Sequence, residues 1–139
     1  MESVENPRRT PFAPKKSCSL RGRLKSFQYA WKGIWALLVS QPNARIHAVA
    51  TVAVVLAGWG FGVTVVEWMG LVLAILAVWS AEAMNTAFEF LADATHPSFH
   101  PLIGKAKDVA AGAVLIAAVG AAVIGALVFW PYVRALLAE

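Results

Sequence analysis

Ala81-Glu82-Ala83-Met84-Asn85-Thr86-Ala87-Phe88-Glu89-Phe90-Leu91-Ala92-Asp93 closes an apolar segment that begins near Trp68 and is long enough to cross a bilayer. At about 100° per residue on a helix, Asn85 lies about 60° behind Glu82, Glu89 about 20° behind it and Asp93 about 20° ahead. All four side chains therefore project from one stripe. An ionisable group at membrane depth costs roughly 2.5–3.5 kcal/mol on insertion scales, so such a stripe points to function. The remainder of the chain can be read as what positions it.

Composition sets the class. In 139 residues, 59% are hydrophobic and only 14% are charged, the balance of an integral membrane protein. The net charge of +4 raises nucleic acid as a partner, but the location of the charge argues against it. Nine of the twelve Lys and Arg (Arg8, Arg9, Lys15, Lys16, Arg21, Arg23, Lys25, Lys32 and Arg45) precede the first apolar span. A basic flank beside a span attracts anionic head groups and fixes orientation, so no nucleic-acid partner is expected. Cys18 stands alone, which excludes an internal disulfide and a cysteine zinc cluster.

Residues 1–19 carry three of the seven prolines, several basic residues and no apolar run, and read as a disordered basic cytoplasmic tail. Pro7-Arg8-Arg9-Thr10-Pro11-Phe12 resembles a twin-arginine signal only superficially, because no apolar stretch follows within reach. The domain proper is expected over residues 20–139. From Leu20 to Ser40, Leu24, Phe27, Trp31, Ile34, Trp35 and Leu38 recur at steps of three and four, with basic residues between them. That pattern predicts an amphipathic helix lying in the membrane interface over 20–40. Pro42 ends it by disfavouring helical conformation at the preceding residue. Three apolar spans follow, at about 46–66, 68–91 and 109–130, each close to the roughly twenty residues that cross hydrocarbon.

Lys105 and Lys107 lie between the second and third spans, and no Lys or Arg lies between the first two. The positive-inside rule then places the N-terminus and the second loop in the cytoplasm. Trp59, Trp68, Trp130 and Tyr132 fall near the outer interface. Glu82 comes about 21 Å along the helix from Trp68, near the inner face of a core about 30 Å thick. A lipid head group meets a water-soluble reactant at that level. Ala113, Ala117, Ala121 and Gly125 form a small-xxx-small face that can pack within one chain or between chains. Three spans offer few partners for the acidic stripe, so a homo-oligomer is expected.

Three readings of Glu82, Asn85 and Glu89 stand on the residues alone. One is polar glue between helices, for which Asn85 is best suited. Another is an ion or proton pathway in a non-enzymatic or proton-linked membrane protein. The third is a metal-assisted site, which the Lys107-Asp108 pair favours. Phosphoryl transfer needs carboxylates for Mg²⁺, cations for phosphate oxygens and a group oriented toward the attacking hydroxyl, and all these types converge here. No Walker A pattern is present, and Gly58-Trp59-Gly60-Phe61-Gly62 is not GxGxxG. His96 and His100 make a poor zinc pair, because Pro97 and Pro101 break the helix that would align them.

Glu82-Ala83-Met84-Asn85-Thr86-Ala87-Phe88-Glu89 resembles the E-x-x-N-[ST]-A-x-E signature of the small prokaryotic diacylglycerol kinase and undecaprenol kinase family. The resemblance takes in Trp31-Lys32-Gly33, Asn43-Ala44-Arg45-Ile46-His47, Glu67-Trp68, Asp93, His100 and Ala106-Lys107-Asp108-Val109-Ala110-Ala111-Gly112-Ala113-Val114-Leu115. It implies an all-α integral-membrane fold: an N-terminal surface helix plus three transmembrane helices, assembled as a homotrimer with active sites shared between subunits. It further implies ATP-dependent phosphorylation of a lipid alcohol, undecaprenol or diacylglycerol, at the cytoplasmic leaflet of the bacterial inner membrane.

By the same resemblance Glu82 matches the general base, Glu89 a carboxylate linked to metal and ATP, and Asn85 the polar residue one turn along. Lys107, Asp108 and the loop Ser98-Phe99-His100 match nucleotide contacts. Tyr29 and Trp31 match positions near nucleotide and lipid. Two departures stand out. Gln41 occupies the place of a second metal-ligating glutamate, where an amide oxygen ligates Mg²⁺ without bringing charge. Gly22 stands where some members have a phosphate-contacting arginine, for which Arg21 or Arg23 can substitute. The Arg45-Ile46-His47 and Ala110-Ala111-Gly112-Ala113 variants resemble the undecaprenol kinase members more than the enterobacterial diacylglycerol kinases.

Overall fold

The computed structural model describes residues 20–98 and 100–138. The expectations for the tail 1–19 and for Phe99 therefore fall outside the described residues. All regular structure among them is helical: α1 (Leu20–Ser40), α2 (Pro42–Phe61), α3 (Val65–Thr95) and α4 (Pro101–Leu136). The last three are each long and apolar enough to cross a membrane. The chain divides into two units, Met1–Gly33 and Ile34–Glu139, with the boundary inside α1.

In the first unit, Ser26 Oγ donates to the Gly22 carbonyl at 3.1 Å and Lys32 Nζ stands 6.0 Å from the Tyr29 ring centre. These are local contacts of helix-forming sequence. In the second unit the break at Gln41-Pro42 sets the geometry. Pro42 starts α2 at a position where its missing N–H costs nothing. The α1 carbonyls left open at this end find a cation: Arg45 donates to Leu38 O at 3.2 Å and to Val39 O at 3.0 Å. Gln41 caps α2 with extended backbone but makes no side-chain cap bond, so its amide is available elsewhere.

Helix α2 stops at Phe61, short of the expected residue 66. Gly62 adopts the left-handed conformation at φ 65° and ψ 41°, and Val63 N donates back to Gly58 O at 3.1 Å. Thr64 then opens α3 through a reciprocal capping box with Glu67. The Glu67 carboxylate accepts from Thr64 N at 2.7 Å and also from Tyr132 of α4 at 2.8 Å, so one carboxylate ties the turn to the far end of α4. Gly58 permits close approach of α2 to α3, because a Cβ there would lie 2.7 Å from the Trp68 ring.

Helix α4 packs chiefly on α3. It begins at Pro101 rather than near residue 109, so Lys105, Lys107 and Asp108 are helical residues. The core stripe of α3 is Leu71, Ala74 and Val78, and Val114 of α4 is buried further along, beside Glu82 and Asn85. Trp79 of α3 donates to Thr51 of α2 at 3.0 Å. Ala121 and Gly125, from the small-residue face of α4, look inward on a cavity of about 320 Å³ between the three spans.

Candidate functional site

The buried stripe of α3 changes character along its length. Leu71, Ala74 and Val78 lead on the same face to Glu82, Asn85 and Thr86, all buried. Exposure then rises toward the C-terminal end: Glu82 is 1% exposed, Asn85 6%, Glu89 half-buried, and the Asp93 side chain 68%. A single helix face thus runs from an enclosed carboxylate to an open one.

Glu89 is the hub. Asn85, one turn earlier, donates from Nδ2 to its Oε1 at 3.0 Å, the i,i+4 relation of a helix surface. Gln41 donates from Nε2 to its Oε2 at 2.7 Å across 48 positions of sequence. Both partners are neutral, and among the described residues no cation pairs with Glu89. The next turn is neutralised instead, with Lys107 Nζ 2.5 Å from Asp93 Oδ1. That pairing leaves the lysine further N–H donors.

Deeper in, Glu82 Oε2, Asn85 Oδ1 and Thr86 Oγ1 are buried without a hydrogen-bond partner among the described residues. Unpaired polar atoms in a low-dielectric interior are expensive, and a ligand or a neighbouring subunit is the usual remedy. Glu82 and Asn85 line a cavity of about 220 Å³ with Asn43 and His47 of α2 and Val114, Leu115 and Ala118 of α4. Its polar lining gathers a carboxyl group, two amides and an imidazole around a space that fits a small head group.

Among the described residues no three His, Cys, Asp or Glu side chains gather as a metal cluster. The amides alter that assessment. Glu89, Gln41 and Asn85 bring a carboxylate and two amide side chains together, with the amide N–H groups turned to the carboxylate, and among the described residues the buried Asn85 Oδ1 has no partner. Hard oxygen donors of this kind fit a magnesium ion that brings its remaining ligands with a nucleotide's phosphates.

The chain thus brings together Gln41, Glu82, Asn85 and Glu89, with the Lys107–Asp93 pair on the following turn. Asp108 is exposed on α4, and Ser98 is exposed in the connection between α3 and α4. His100 caps α4, its Nδ1 accepting from Leu102 N at 3.3 Å. Tyr29 and Trp31 belong to the first unit. Three residues at or near Glu82, namely Asn43, His47 and Thr86, entered the sequence reading only as parts of the resembling motifs and were given no role in the site. The first and second are spaced i,i+4 on α2, a signal that was legible once the helix was known to begin at Pro42.

Residues 28–129 match the family model described as prokaryotic diacylglycerol kinase. The chain is similar to the undecaprenol kinase of Bacillus subtilis, 41% identical over 107 residues that cover 77% of this chain and 87% of that protein. It is also similar to the diacylglycerol kinase of Synechocystis, 38% identical over 115 residues covering 82% of this chain and 66% of that one. The diacylglycerol kinase of Escherichia coli K12 is 32% identical over 110 residues, 78% of this chain and 89% of the other.

Proposed function

The chain belongs to the prokaryotic diacylglycerol kinase family and is a multi-pass membrane lipid kinase; from that premise we propose that it transfers the γ-phosphoryl group of ATP to the hydroxyl of undecaprenol or diacylglycerol. The transfer takes place at the cytoplasmic leaflet of the inner membrane, with the N-terminus in the cytoplasm, in keeping with the positions of Lys105 and Lys107. The observation that carries this reading is the graded stripe of α3. Its buried end holds a carboxylate with an unpartnered oxygen, where a lipid alcohol can enter from the bilayer. Its open end carries Asp93 and Lys107, where a soluble nucleotide arrives.

In the proposed reaction the lipid hydroxyl occupies the cavity beside Glu82. Glu82 accepts the hydroxyl proton as the oxygen bonds to the γ-phosphorus. The bond from that phosphorus to the β,γ-bridging oxygen breaks, and ADP departs. Asn85 holds Glu89 in place through its amide N–H. Glu89, with the Gln41 and Asn85 side chains beside it, would hold magnesium, which would supply neutralisation of phosphate charge when bound. Lys107 adds a cation near the phosphates; the family resemblance assigns Asp108, Ser98, Phe99 and His100 to the nucleotide, and separately Tyr29 and Trp31 to nucleotide and lipid. The sites belong to a homotrimer, whose neighbouring subunits supply a partner for the remaining orphaned oxygen of α3, Thr86 Oγ1. The domain itself is assigned to residues 20–139.

The test is transfer of labelled γ-phosphate by the purified protein in lipid nanodiscs containing either alcohol. Label in the organic phase, dependent on Mg²⁺, is the expected result. No label with either lipid would remove the proposal.

A further inference from the structure

Two cavities of the membrane unit share part of their walls. The polar one of about 220 Å³ holds Glu82 and Asn85, and the apolar one of about 320 Å³ runs between α2, α3 and α4. His47 of α2 and Ala118 of α4 line both. A ligand with its hydroxyl at Glu82 and its hydrocarbon in the apolar cavity would therefore run past His47 and Ala118, the side chains that mark the neck between the two. On the polar side of this neck lies the unpartnered Glu82 oxygen, in a residue only 1% exposed. On the other side the walls include Val54, Leu71, Val78, Ala121 and Gly125.

The backbone at His47 is tied down. Its carbonyl accepts from Thr51 Oγ1 at 2.7 Å, and that hydroxyl in turn accepts from Trp79 Nε1 of α3 at 3.0 Å. The imidazole is thus mounted on a segment braced against the helix that carries Glu82. A braced ring at a neck is a filter for the shape of whatever passes it.

We propose that His47 is the specificity-determining residue for the lipid alcohol, favouring a linear primary prenol over a diglyceride. This rests on the lipid kinase reading above and narrows it. In a prenol the reacting CH₂–OH continues as one unsaturated chain. In a diglyceride the next carbon already bears an ester, and two chains must follow. The imidazole occupies the room that this branch needs, while its N–H or ring nitrogen remains able to hydrogen-bond the single hydroxyl. Specificity of this kind is a difference between two alcohols in kcat/KM, not a loss of catalysis.

The experiment measures kcat/KM for undecaprenol and for dioleoylglycerol in identical nanodiscs, for the wild type, His47→Ala, His47→Gln and Ala118→Leu, with the KM for ATP recorded alongside. Opening the neck in His47→Ala raises the diglyceride-to-prenol ratio about tenfold or more, through the lipid KM, while the ATP KM stays within about twofold; tenfold corresponds to about 1.4 kcal/mol. His47→Gln, which keeps length and hydrogen bonding, holds the ratio near the wild-type value. Ala118→Leu narrows the neck from the other wall and lowers the ratio. An unchanged ratio in both His47→Ala and Ala118→Leu overturns the inference, and so does a ratio that moves only together with the ATP KM. If the histidine variant does not fold, Ala118→Leu alone decides between the same two outcomes. Transfer to neither alcohol by the wild type would instead overturn the kinase reading, so the two failures are separable.

Discussion

Replacing Gln41 by glutamate should convert a hydrogen bond into a conflict that only a cation resolves. In the native chain Gln41 Nε2 donates to Glu89 Oε2 at 2.7 Å. A hydrogen bond to a charged group contributes about 1.5–3 kcal/mol, and the variant loses it. It also sets two carboxylates against each other at a separation near 4 Å, worth about 4 kcal/mol at an effective dielectric of 20. Side-chain rotation and shared protons relieve part of this, so a net loss of about 2–4 kcal/mol is expected in the absence of metal. With Mg²⁺ present the sign reverses, because a second carboxylate strengthens the cation site. The assay is thermal unfolding in detergent across a Mg²⁺ titration, begun in chelator, paired with turnover over the same range. Gln41→Glu should unfold below the wild type in chelator, recover as Mg²⁺ rises, and reach half activity at a Mg²⁺ concentration roughly tenfold lower (about 1.4 kcal/mol). Equal unfolding in chelator and an unshifted Mg²⁺ dependence would refute the placement of Gln41 against Glu89 and its part in holding metal.

Gly58→Ala puts a Cβ 2.7 Å from the Trp68 ring, which should cost about 1–3 kcal/mol by overpacking; the unfolding midpoint falls, and the alcohol preference does not change. Tyr132→Phe removes the phenol donated to Glu67 at 2.8 Å and should lower stability by about 0.5–1.5 kcal/mol without altering turnover at saturating substrate. Lys107→Ala breaks the pair with Asp93, which as a partly exposed contact is worth at most about 1 kcal/mol of stability. Its larger effect should be a raised KM for ATP, measurable with either lipid held at saturation.

Much of the fold was legible because membrane spans announce themselves by length and apolar composition. The stripe from Glu82 to Asp93 was legible for a related reason: helical periodicity is a local property, and four positions of one helix need no knowledge of the others. What lay between helices was harder. The Gln41–Glu89 bond joins side chains 48 positions apart, and nothing local to either announces the other. His47 sits within an apolar span and so reads as an isolated polar residue until α4 brings Ala118 opposite it. The end of α2 was a matter of turn chemistry rather than distance. Gly62 as a left-handed stop and Thr64 with Glu67 as a capping box were both present in the sequence, but the apolar run through Val66 masked them. Likewise the start of α4 at Pro101 follows from His100 and a proline at the first helical position, whereas hydropathy alone marks only the apolar part that crosses the membrane.

The account turns on an enclosed carboxylate drawing a proton from a membrane alcohol while a nucleotide waits at the open end of the same helix face. Glu82→Gln keeps the side chain's size and removes its basicity, so it separates binding from chemistry. Single-turnover transfer of labelled γ-phosphate should fall by about 10²–10⁴-fold in that variant, with nucleotide affinity and oligomeric state as in the wild type. Transfer at the wild-type rate by Glu82→Gln would contradict it.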